Sequence, residues 1–404
     1  MSIFISIVGL GLLILIHEAG HFFVARAVGM NPRKFYIGFP PALVKKTRNG
    51  IEYGIGAIPL GGYVKIPGMH RPAAGDLDVH FGRAVSEQPS LGPVVEELRR
   101  RLAAEDHVHS REAVAKLAAE LEHAELSPLA RKAADRGTED VDDALGPDAY
   151  WRARTWKRVA VIFAGPGANL VLSIVLFAAL FMSATGVFQL GFVPQQTEDG
   201  DIAVVEEVTP ESPAAAAGLL PGDRIVQIDG QRVDPDAIRP TIRASEGRAI
   251  ALTVSREGEI VELPAVSAEM SETYGPVDSV WQAIRVTGIV TKAIGASIGR
   301  LVTGDGRDEI SSPVGIVQGS SQAVERGTDS YLWVVGLISL SLALLNLLPL
   351  LPLDGGHIAF SLLEGVRGKA VAREVYERVS VVGIALVLLL FFIGLSNDIG
   401  RFGS

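Results

Sequence analysis

Four long apolar runs divide the sequence, and each is long enough to cross a lipid bilayer as a helix. They cover roughly residues 3–25, 159–184, 332–351 and 379–395. The stretches between them are polar or carry shorter apolar periodicities. The pattern predicts a polytopic α-helical membrane protein with about four transmembrane helices.

The stretch after the first span has a different pattern. Residues 35–66 alternate short apolar segments with turn residues, which predicts short strands. The pair Gly61-Gly62, followed by Tyr63, indicates either a hairpin bend or a close backbone approach. Two interpretations are open here: an ordinary cytoplasmic hairpin, or a hairpin whose exposed edge pairs with an extended substrate.

Two further segments lie between the spans. Residues 72–150 are polar, charged and rich in alanine, and helical spacing within residues 91–104 and 111–124 predicts two helices there. Nothing in this segment indicates chemistry, because its histidines are typical of a solvated surface. Residues 280–301 have apolar positions at helical spacing with three cationic residues, which predicts an amphipathic helix along the membrane surface.

A β-rich module is predicted between the second and third spans, in residues 201–266. Residues 217–230 read AGLLPGDRIVQIDG, which resembles the core signature of bacterial PDZ domains. PDZ domains bind an extended peptide by adding it as a strand to a sheet. The resemblance therefore implies a binding or gating element, against the alternative of a purely structural module.

Composition narrows the possible chemistry. The 404 residues are 48% hydrophobic, which agrees with a membrane protein. The chain has no cysteine, so a disulfide framework and a thiolate metal site are both excluded. A net charge of −9 gives no basic surface suited to nucleic acid.

The first apolar run ends in the sequence HEAGH, residues 17–21. On a helix, His17 and His21 lie four residues apart on one face, where both can bind one zinc ion. Glu18 is adjacent and suited to act as a general base. Ionisable residues inside a membrane span are costly and by default functional, so we interpret the motif as a zinc site.

The third apolar run ends in NLLPLLPLDGGH, residues 346–357. Its two prolines predict the end of a helix, followed by Asp354 beside a flexible Gly-Gly pair. A catalytic zinc ion takes three protein ligands and keeps one open position, and Asp354 would complete that number. His357 offers an alternative ligand. Asn169, in the second run, lies within reach of a buried site.

Basic residues flank the spans asymmetrically. They follow the first span, precede the second and lie between the third and fourth, and all these loops are on one side of the membrane. The positive-inside rule makes that side cytoplasmic. We therefore expect a multi-pass protein of the inner membrane, with both termini and the PDZ module outside the cytoplasm.

Taken together, the motifs resemble the site-2 protease family of intramembrane zinc metalloproteases. The resemblance rests on HEAGH, on GPGAN at residues 165–169, on one PDZ module and on the NLLP…LDG motif. The sequence is similar to the bacterial regulator-of-sigma-E type. It has a single PDZ module, whereas the enterobacterial type has two. Residues 72–150 lie outside the resemblance.

The resemblance implies one Zn²⁺ ion bound by His17, His21 and Asp354, with Glu18 as the catalytic base. It also implies a membrane-associated β-hairpin that helps to hold substrate. Substrates would be single-span membrane proteins, such as anti-sigma factors or remnant signal peptides. The positions expected to contact substrate are Asn346, Pro349, Asn169, Gly61, Gly62 and Tyr63.

Three other functions were weighed against an intramembrane protease. A catalytically inactive PDZ scaffold is the main alternative, and the intact motifs argue against it. A zinc transporter would need polar residues along several spans, and a soluble zinc protease with a membrane anchor would not carry the motif inside the span. The predicted segments are 1–71 (first span and hairpin), 72–150 (helical insertion), 151–185 (second span), 186–275 (PDZ), 276–330 (amphipathic segment) and 331–404 (last two spans).

Overall fold

A computed structural model describes residues 1–183, 188–189, 192–196, 203–208, 212–245, 247–270, 275–303, 307, 310–371 and 373–403. The chain forms two compact units. One comprises Met1–Leu176 and Val286–Ser404, and the other comprises Phe177–Arg285. Part of the predicted PDZ segment lies outside the described residues, including residues 197–202 and 209–211.

The first unit begins with a long apolar helix and a twisted pair of strands. Helix α1 covers Ser2–Ala27, strand β1 covers Lys34–Arg48 and strand β2 covers Ile51–Lys65. The turn between the strands is Asn49-Gly50, with φ of 52° and 77°, as a two-residue hairpin requires. The predicted short strands are therefore two long ones, and the hairpin bend is at Asn49-Gly50 instead of Gly61-Gly62.

The register of this pair makes one segment of β2 an edge. Residues 34–37 of β1 pair with residues 52–55 on one side and with residues 62–65 on the other. Residues 42–48 pair with residues 51–56. Among the described strands, none pairs with the outer side of residues 62–65.

The insertion is a small helical bundle. Its helices are α2 (Asp76–Glu87), α3 (Gly92–Ala103), α4 (His107–Glu122) and α5 (Pro128–Leu145). The caps fit the sequence, since Asp106 and Ser127 accept the backbone N–H groups of His109 and Ala130. The bundle has its own core, which includes Leu77, Phe81, Leu98 and Leu117. The prediction of two helices was therefore incomplete, since α2 and α5 were not predicted.

The second unit is rich in strands. After α6 (Thr155–Ser183), its strands are β3 (Phe188–Gln189), β4 (Phe192–Gln196), β5 (Ala203–Val208), β6 (Arg224–Ile228) and β7 (Gln231–Arg232), with helices α7 (Pro213–Ala216) and α8 (Pro235–Ala244). Then follow β8 (Ala249–Ile250), β9 (Leu252–Arg256), β10 (Glu259–Glu262), β11 (Val266–Ser267) and β12 (Glu269–Met270). The main sheet has the order β10-β9-β6-β5-β4, with β7 on β6. Its core includes Val205, Leu219, Ile238 and Val254.

Five helices follow, of which α9 begins in the second unit and the other four lie in the first. They are α9 (Pro276–Thr303), α10 (Pro313–Glu325), α11 (Thr328–Asn346), α12 (Asp354–Arg367) and α13 (Arg373–Gly403). Helix α9 includes the predicted amphipathic segment. The predicted third run extended to residue 351, but α11 ends at Asn346. Pro349 and Pro352 follow closely, and proline disfavours helix both at its own position and at the preceding residue.

In the described residues, four helices are long and apolar enough to cross a membrane, as predicted. They are Ser2–Ala27, Thr155–Met182, Thr328–Asn346 and Val375–Gly400. Many of their large apolar side chains are exposed, among them Phe4, Val171 and Phe392. Exposed apolar surface of this extent fits contact with lipid instead of water.

Candidate metal centre

Two histidine rings meet near the C-terminal end of α1. The Nε2 atoms of His17 and His21 lie 3.2 Å apart, and both residues are only 7% exposed. The four-residue spacing on one helix places them on one face, as predicted. Two neutral imidazole lone pairs at this distance repel each other unless a proton or cation lies between them.

Asp354 adds a carboxylate to the pair. Its Oδ2 atom lies 3.1 Å from Nε2 of His17 and 3.4 Å from Nε2 of His21. The three ligand atoms lie within 4.8 Å of one another. Two imidazole nitrogens and a carboxylate oxygen converging on one point could hold a metal ion, and the set fits a catalytic zinc site with an open fourth position.

Local backbone packing explains how Asp354 reaches the histidines. Asp354 is the first residue of α12, and Gly355 and Gly356 follow it. A Cβ at Gly355 would overlap the carbonyl oxygens of Leu347 and Leu348, and one at Gly356 would lie 2.5 Å from the nitrogen of Leu351. The two glycines therefore let the start of α12 pack directly on the turn that follows α11.

Helix α6 fixes the tautomer of His21. The Nδ1–H group of His21 donates to the carbonyl oxygen of Val161 in α6 at 2.8 Å. With the proton on Nδ1, the Nε2 lone pair faces His17 and Asp354. Hydrogen bonds of this kind orient metal-binding histidines and raise their basicity.

Asn169 lies beside Nδ1 of His17, as the Val161 carbonyl group lies beside Nδ1 of His21. Its amide nitrogen lies 3.4 Å from His17 Nδ1, and its own backbone oxygen accepts a hydrogen bond from Ser339 at 2.8 Å. The buried Oδ1 atom of Asn169 has no hydrogen-bond partner in the described residues. Rotating the amide by 180° would let His17 Nδ1–H donate to Oδ1 and would leave Nε2 free for a metal.

Gly165 provides the space in which the ring pair lies. A Cβ at this position would overlap His21 Nε2 and would lie 2.8 Å from His17 Nε2. Gly20 has the reciprocal role on α1, since its Cβ would overlap the Ala164 carbonyl oxygen. The sequence GPGAN therefore brings α6 against α1 at the metal centre as well as packing the helices.

The edge segment of β2 lies against the predicted catalytic residue. A Cβ at Gly62 would overlap Cγ of Glu18, so only glycine allows this approach. Gly61 has a φ of 150°. Of the two interpretations of the glycine pair, close backbone approach is the one that agrees with the structure.

The insertion holds the base of the same hairpin through ion pairs. The ammonium group of Lys65 lies 2.8 to 3.2 Å from carboxylate oxygens of Asp140, Glu139 and Asp143. Arg33 donates to Asp143 at 2.7 Å and to Asp148 at 2.9 Å. Since the amide of Arg33 also donates to the carbonyl oxygen of Lys65, α5 and its C-terminal loop hold both strand ends together.

These contacts shift the titration of the groups involved. Burial raises the pKa of Glu139, but the hydrogen bond from Lys65 outweighs it and the net pKa is below its ordinary value. Burial likewise raises the pKa of Asp148, and the Arg33 guanidinium lowers it by more. Burial lowers the pKa of Lys65, but its carboxylate partners raise the pKa by more than burial lowers it. The ammonium group therefore stays charged.

The other residues predicted to contact substrate are less closely joined to the three ligands. Asn346 donates to the carbonyl oxygen of Leu342 in its own helix, and Pro349 is exposed. Tyr63 is opposite Tyr36 in the edge segment. His357 is not part of the metal group, and its ring lies 6.4 Å from those of His70 and Tyr376.

Sequence reasoning missed Gly165 as a determinant of the site and missed the ion pairs between hairpin and insertion. Gly165 was visible in the GPGAN motif, but its contact with the histidine rings depends on how two helices cross. The ion pairs join Arg33 and Lys65 to residues about 75 to 115 positions further along the chain. No sequence pattern indicated those pairings.

Comparison with known proteins gives a consistent result. The profile of Peptidase family M50 matches residues 5–390. A putative zinc metalloprotease of Agrobacterium fabrum is 31% identical over 420 residues, which cover 96% of this chain and 93% of that protein. Zinc metalloprotease RasP of Geobacillus kaustophilus is 30% identical, with coverages of 99% and 98%.

A third relative is the regulator of sigma-E protease RseP of Escherichia coli, which is 30% identical over 98% of this chain and 97% of that protein. The matched range, residues 5–390, begins within α1 and ends within α13. The histidine pair and the carboxylate both lie inside it. The chain therefore belongs to peptidase family M50, the site-2 protease family of zinc metalloproteases.

Proposed function

We propose that the chain hydrolyses peptide bonds within the membrane spans of single-span proteins, using one zinc ion. The observation that carries the proposal is the convergence of His17, His21 and Asp354 near the end of a helix long enough to cross a membrane. A metal centre at this place is useful only if the scissile bond is brought to it inside or at the edge of the bilayer.

In this proposal the three ligands hold the zinc ion, and Glu18 transfers the proton. When bound, zinc supplies a Lewis acid that lowers the pKa of a water toward about 7 and polarises the scissile carbonyl. Glu18 accepts the proton from the attacking water and then donates it to the leaving amine, a role worth roughly 10²- to 10⁴-fold in rate. Gly62 packs on the Glu18 side chain and limits its conformations.

The substrate must be extended before it can be cut, because helical hydrogen bonds shield its peptide groups. Residues 62–65 could hold an extended substrate, since their outer side has no partner strand in the described structure. Gly62 of this segment contacts Glu18. An added strand would satisfy the substrate backbone inside a medium without water. Tyr63 would then flank the bound segment, while Asn346 and Pro349 would contact it from the other side.

The second unit is proposed to be a PDZ domain outside the cytoplasm, with residues 186–275 as its approximate limits. The AGLLPGD…IDG signature and the six-stranded sheet support this. The basic loops at the metal-centre end support a cytoplasmic location for that end in the inner membrane. By analogy with the sigma-E regulator named among the relatives, substrates would be anti-sigma-type proteins or remnant signal peptides, and the PDZ domain would exclude untrimmed proteins.

The decisive experiment is cleavage of a single-span reporter by the detergent-purified protein and by Glu18→Gln. We expect the variant to retain zinc and to lose at least a hundredfold in rate. Glu120→Gln, at an exposed position of α4, is the matched control and should cleave like the wild type. Equal cleavage by Glu18→Gln and wild type would refute the mechanism and favour the inactive scaffold.

A second measurement tests the ligand set separately. Asp354→Ala should lower the zinc content, because the two histidines alone leave the ion without a third protein ligand. Metal analysis of the purified variant gives the answer without an activity assay. Full zinc occupancy in Asp354→Ala would show that the third ligand is another residue.

A further inference from the structure

A pocket lies apart from the proposed metal ligands, between the N-terminus of α6 and the loop that joins α12 to α13. Its volume is about 550 Å³, within the range of small-molecule sites. The residues that decide its chemistry are Arg71, Trp151, Thr155, Arg158, Glu364 and Lys369. Three of these are cationic and one is anionic, so the lining carries a net positive charge.

Arg158 is the buried member of the group. Its side chain is 9% exposed, and its guanidinium donates to Glu364 at 2.6 Å. The other oxygen of Glu364 accepts the backbone N–H of Val371 at 2.9 Å, so both oxygens of the carboxylate are occupied. Nε of Arg158 is buried and has no hydrogen-bond partner among the described residues. The ion pair with Glu364 fixes the Arg158 guanidinium, so this residue forms a rigid part of the pocket wall.

Arg71 and Lys369 provide two solvent-exposed cations at the pocket. The Arg71 guanidinium lies 4.8 Å from the centre of the Trp151 ring, and its ion pair with Glu105 is solvent-exposed and therefore weak. Lys369 is exposed and forms no ion pair in the part of the chain that the structure describes. Thr155 begins the 29-residue helix α6, and a helix N-terminus favours an anion.

The position of the pocket relative to the membrane indicates the source of the anion. Thr155 is the first residue of one candidate span, and Tyr376, which also lines the pocket, lies at the start of another. Trp151 and Tyr376 are the residue types enriched at the level of lipid headgroups. Basic pockets between the ends of membrane helices bind anionic headgroups.

We propose that this pocket binds a phosphate group, and that the headgroup of an anionic phospholipid is its source. The phosphate would accept from Arg71 and from Lys369, with the N-terminus of α6 beside it and the paired Arg158 in the wall of the pocket. The glycerol and acyl chains would continue along α6 and α13 into the bilayer. The site is independent of the zinc chemistry, since none of the three metal ligands lines it.

The test uses full-length protein in a neutral detergent, stripped of lipid, with native mass spectrometry and thermal unfolding as readouts. The probes are phosphatidylglycerol, phosphatidylcholine with the same acyl chains, and inorganic phosphate. The variant is Arg71→Gln with Lys369→Gln, two exposed positions whose replacement should not impair folding. The control is Lys132→Gln with Arg136→Gln, which removes the same charge from exposed positions of α5.

We expect phosphatidylglycerol to bind and to raise the unfolding temperature of wild type and control equally. The pocket variant should need at least tenfold more of it for half-saturation, and phosphatidylcholine should bind more weakly to all three. Binding of inorganic phosphate alone, lost in the same variant, would assign the site to a soluble phosphate. Equal binding of both lipids, or unchanged affinity in the pocket variant, would overturn the proposal.

Discussion

Gly165 and Asn169 lie four residues apart on α6, and both face the histidine pair. One contributes by having no side chain and the other through a buried amide. Their contacts show that α6 packs on the candidate metal centre, although it supplies none of the three proposed ligands.

Replacing Gly165 by alanine should disrupt metal binding. The added Cβ would overlap His21 Nε2, so the rings must separate or the helices must move apart. We expect at least a tenfold loss of zinc affinity, measured by competition with a chelator. Gly11→Ala on α1 is the control, since nothing lies within 4 Å of its Cβ. Unchanged affinity in Gly165→Ala would mean that the ring positions are not those described.

Replacing Asn169 by alanine should weaken zinc binding more mildly. Loss of the amide leaves His17 Nδ1 without its partner, and such second-layer losses cost about 10- to 100-fold in metal affinity. Ser173→Ala, one turn further along α6, is the control, because its hydroxyl bonds to the helix itself. A fall in substrate affinity with unchanged zinc affinity would instead support the substrate contact predicted from sequence.

Residue-level chemistry was the part most accessible from the sequence. Spacing on one helix is enough to pair His17 with His21, and the same motif includes Glu18. Asp354 lies 333 residues beyond His21 in the chain, and the family resemblance was needed to prefer it over His357 as the third ligand. The proximity of Gly165 to the rings required the crossing of two helices, which no local pattern contains.

At the scale of elements, the β-hairpin connects the insertion to α1. Its base is held by carboxylates of α5 and the loop that follows, and its edge touches Glu18. Gly62→Ala should therefore displace the Glu18 side chain. We expect kcat for the reporter to fall tenfold or more with zinc content unchanged, while Gly75→Ala, in open space, leaves both unaffected. A loss of zinc in Gly62→Ala would instead indicate a structural defect.

The ion pairs at the hairpin base predict a pH dependence. The pKa values of Glu139 and Asp148 are lowered in the folded protein, so these groups stabilise it fully above their ordinary values of 4.5 and 3.8. That stabilisation is lost as the pH falls through the lower folded values. Lys65→Gln should lower the unfolding temperature by roughly 2–4 °C at pH 7, for a loss of roughly 1 kcal/mol.

The difference between wild type and Lys65→Gln should shrink below about pH 4. Lys46→Gln is the control, since it removes an exposed cation of the same hairpin. A difference that stays constant down to pH 3 would show that the carboxylates are not the partners that matter.

The strands illustrate why elements were harder to predict than the motif. The glycine pair at 61–62 resembled a turn, while the actual turn, Asn49-Gly50, was a standard hairpin signal that was not used. The glycine at position 62 serves a tertiary contact and not a turn, since a Cβ there would overlap Cγ of Glu18. Helix α5 was missed because three of its seven buried residues are alanine, whereas the helical spacing of Leu77, Phe81 and Ala84 on α2 was a signal that was not used.

At the scale of the whole molecule, hydropathy alone was enough to predict four membrane-length helices. It was not enough for helices α10 and α12, which are shorter and partly apolar. The side of the membrane on which each unit lies follows only from the charge rule, and it can be tested directly because the chain has no cysteine.

Single cysteines at exposed alanines serve this test. Ala115→Cys lies on α4 of the insertion, and Ala265→Cys lies in the strand-rich unit. With a membrane-impermeant thiol reagent on intact spheroplasts, we expect labelling at 265 only, and labelling at 115 only after the membrane is opened. The opposite pattern would invert the proposed topology.

The junction of the insertion has a consequence for how such a chain can change. The amides of Tyr150 and Trp151 donate to the carbonyl oxygens of Pro67 and Gly68, so the polypeptide leaves and rejoins the membrane part at neighbouring points. A module attached in this way can be exchanged for a short loop or a foreign domain without rerouting the rest of the chain. The junction is thus a natural place for evolution, or a protein engineer, to graft a new domain onto a metalloprotease.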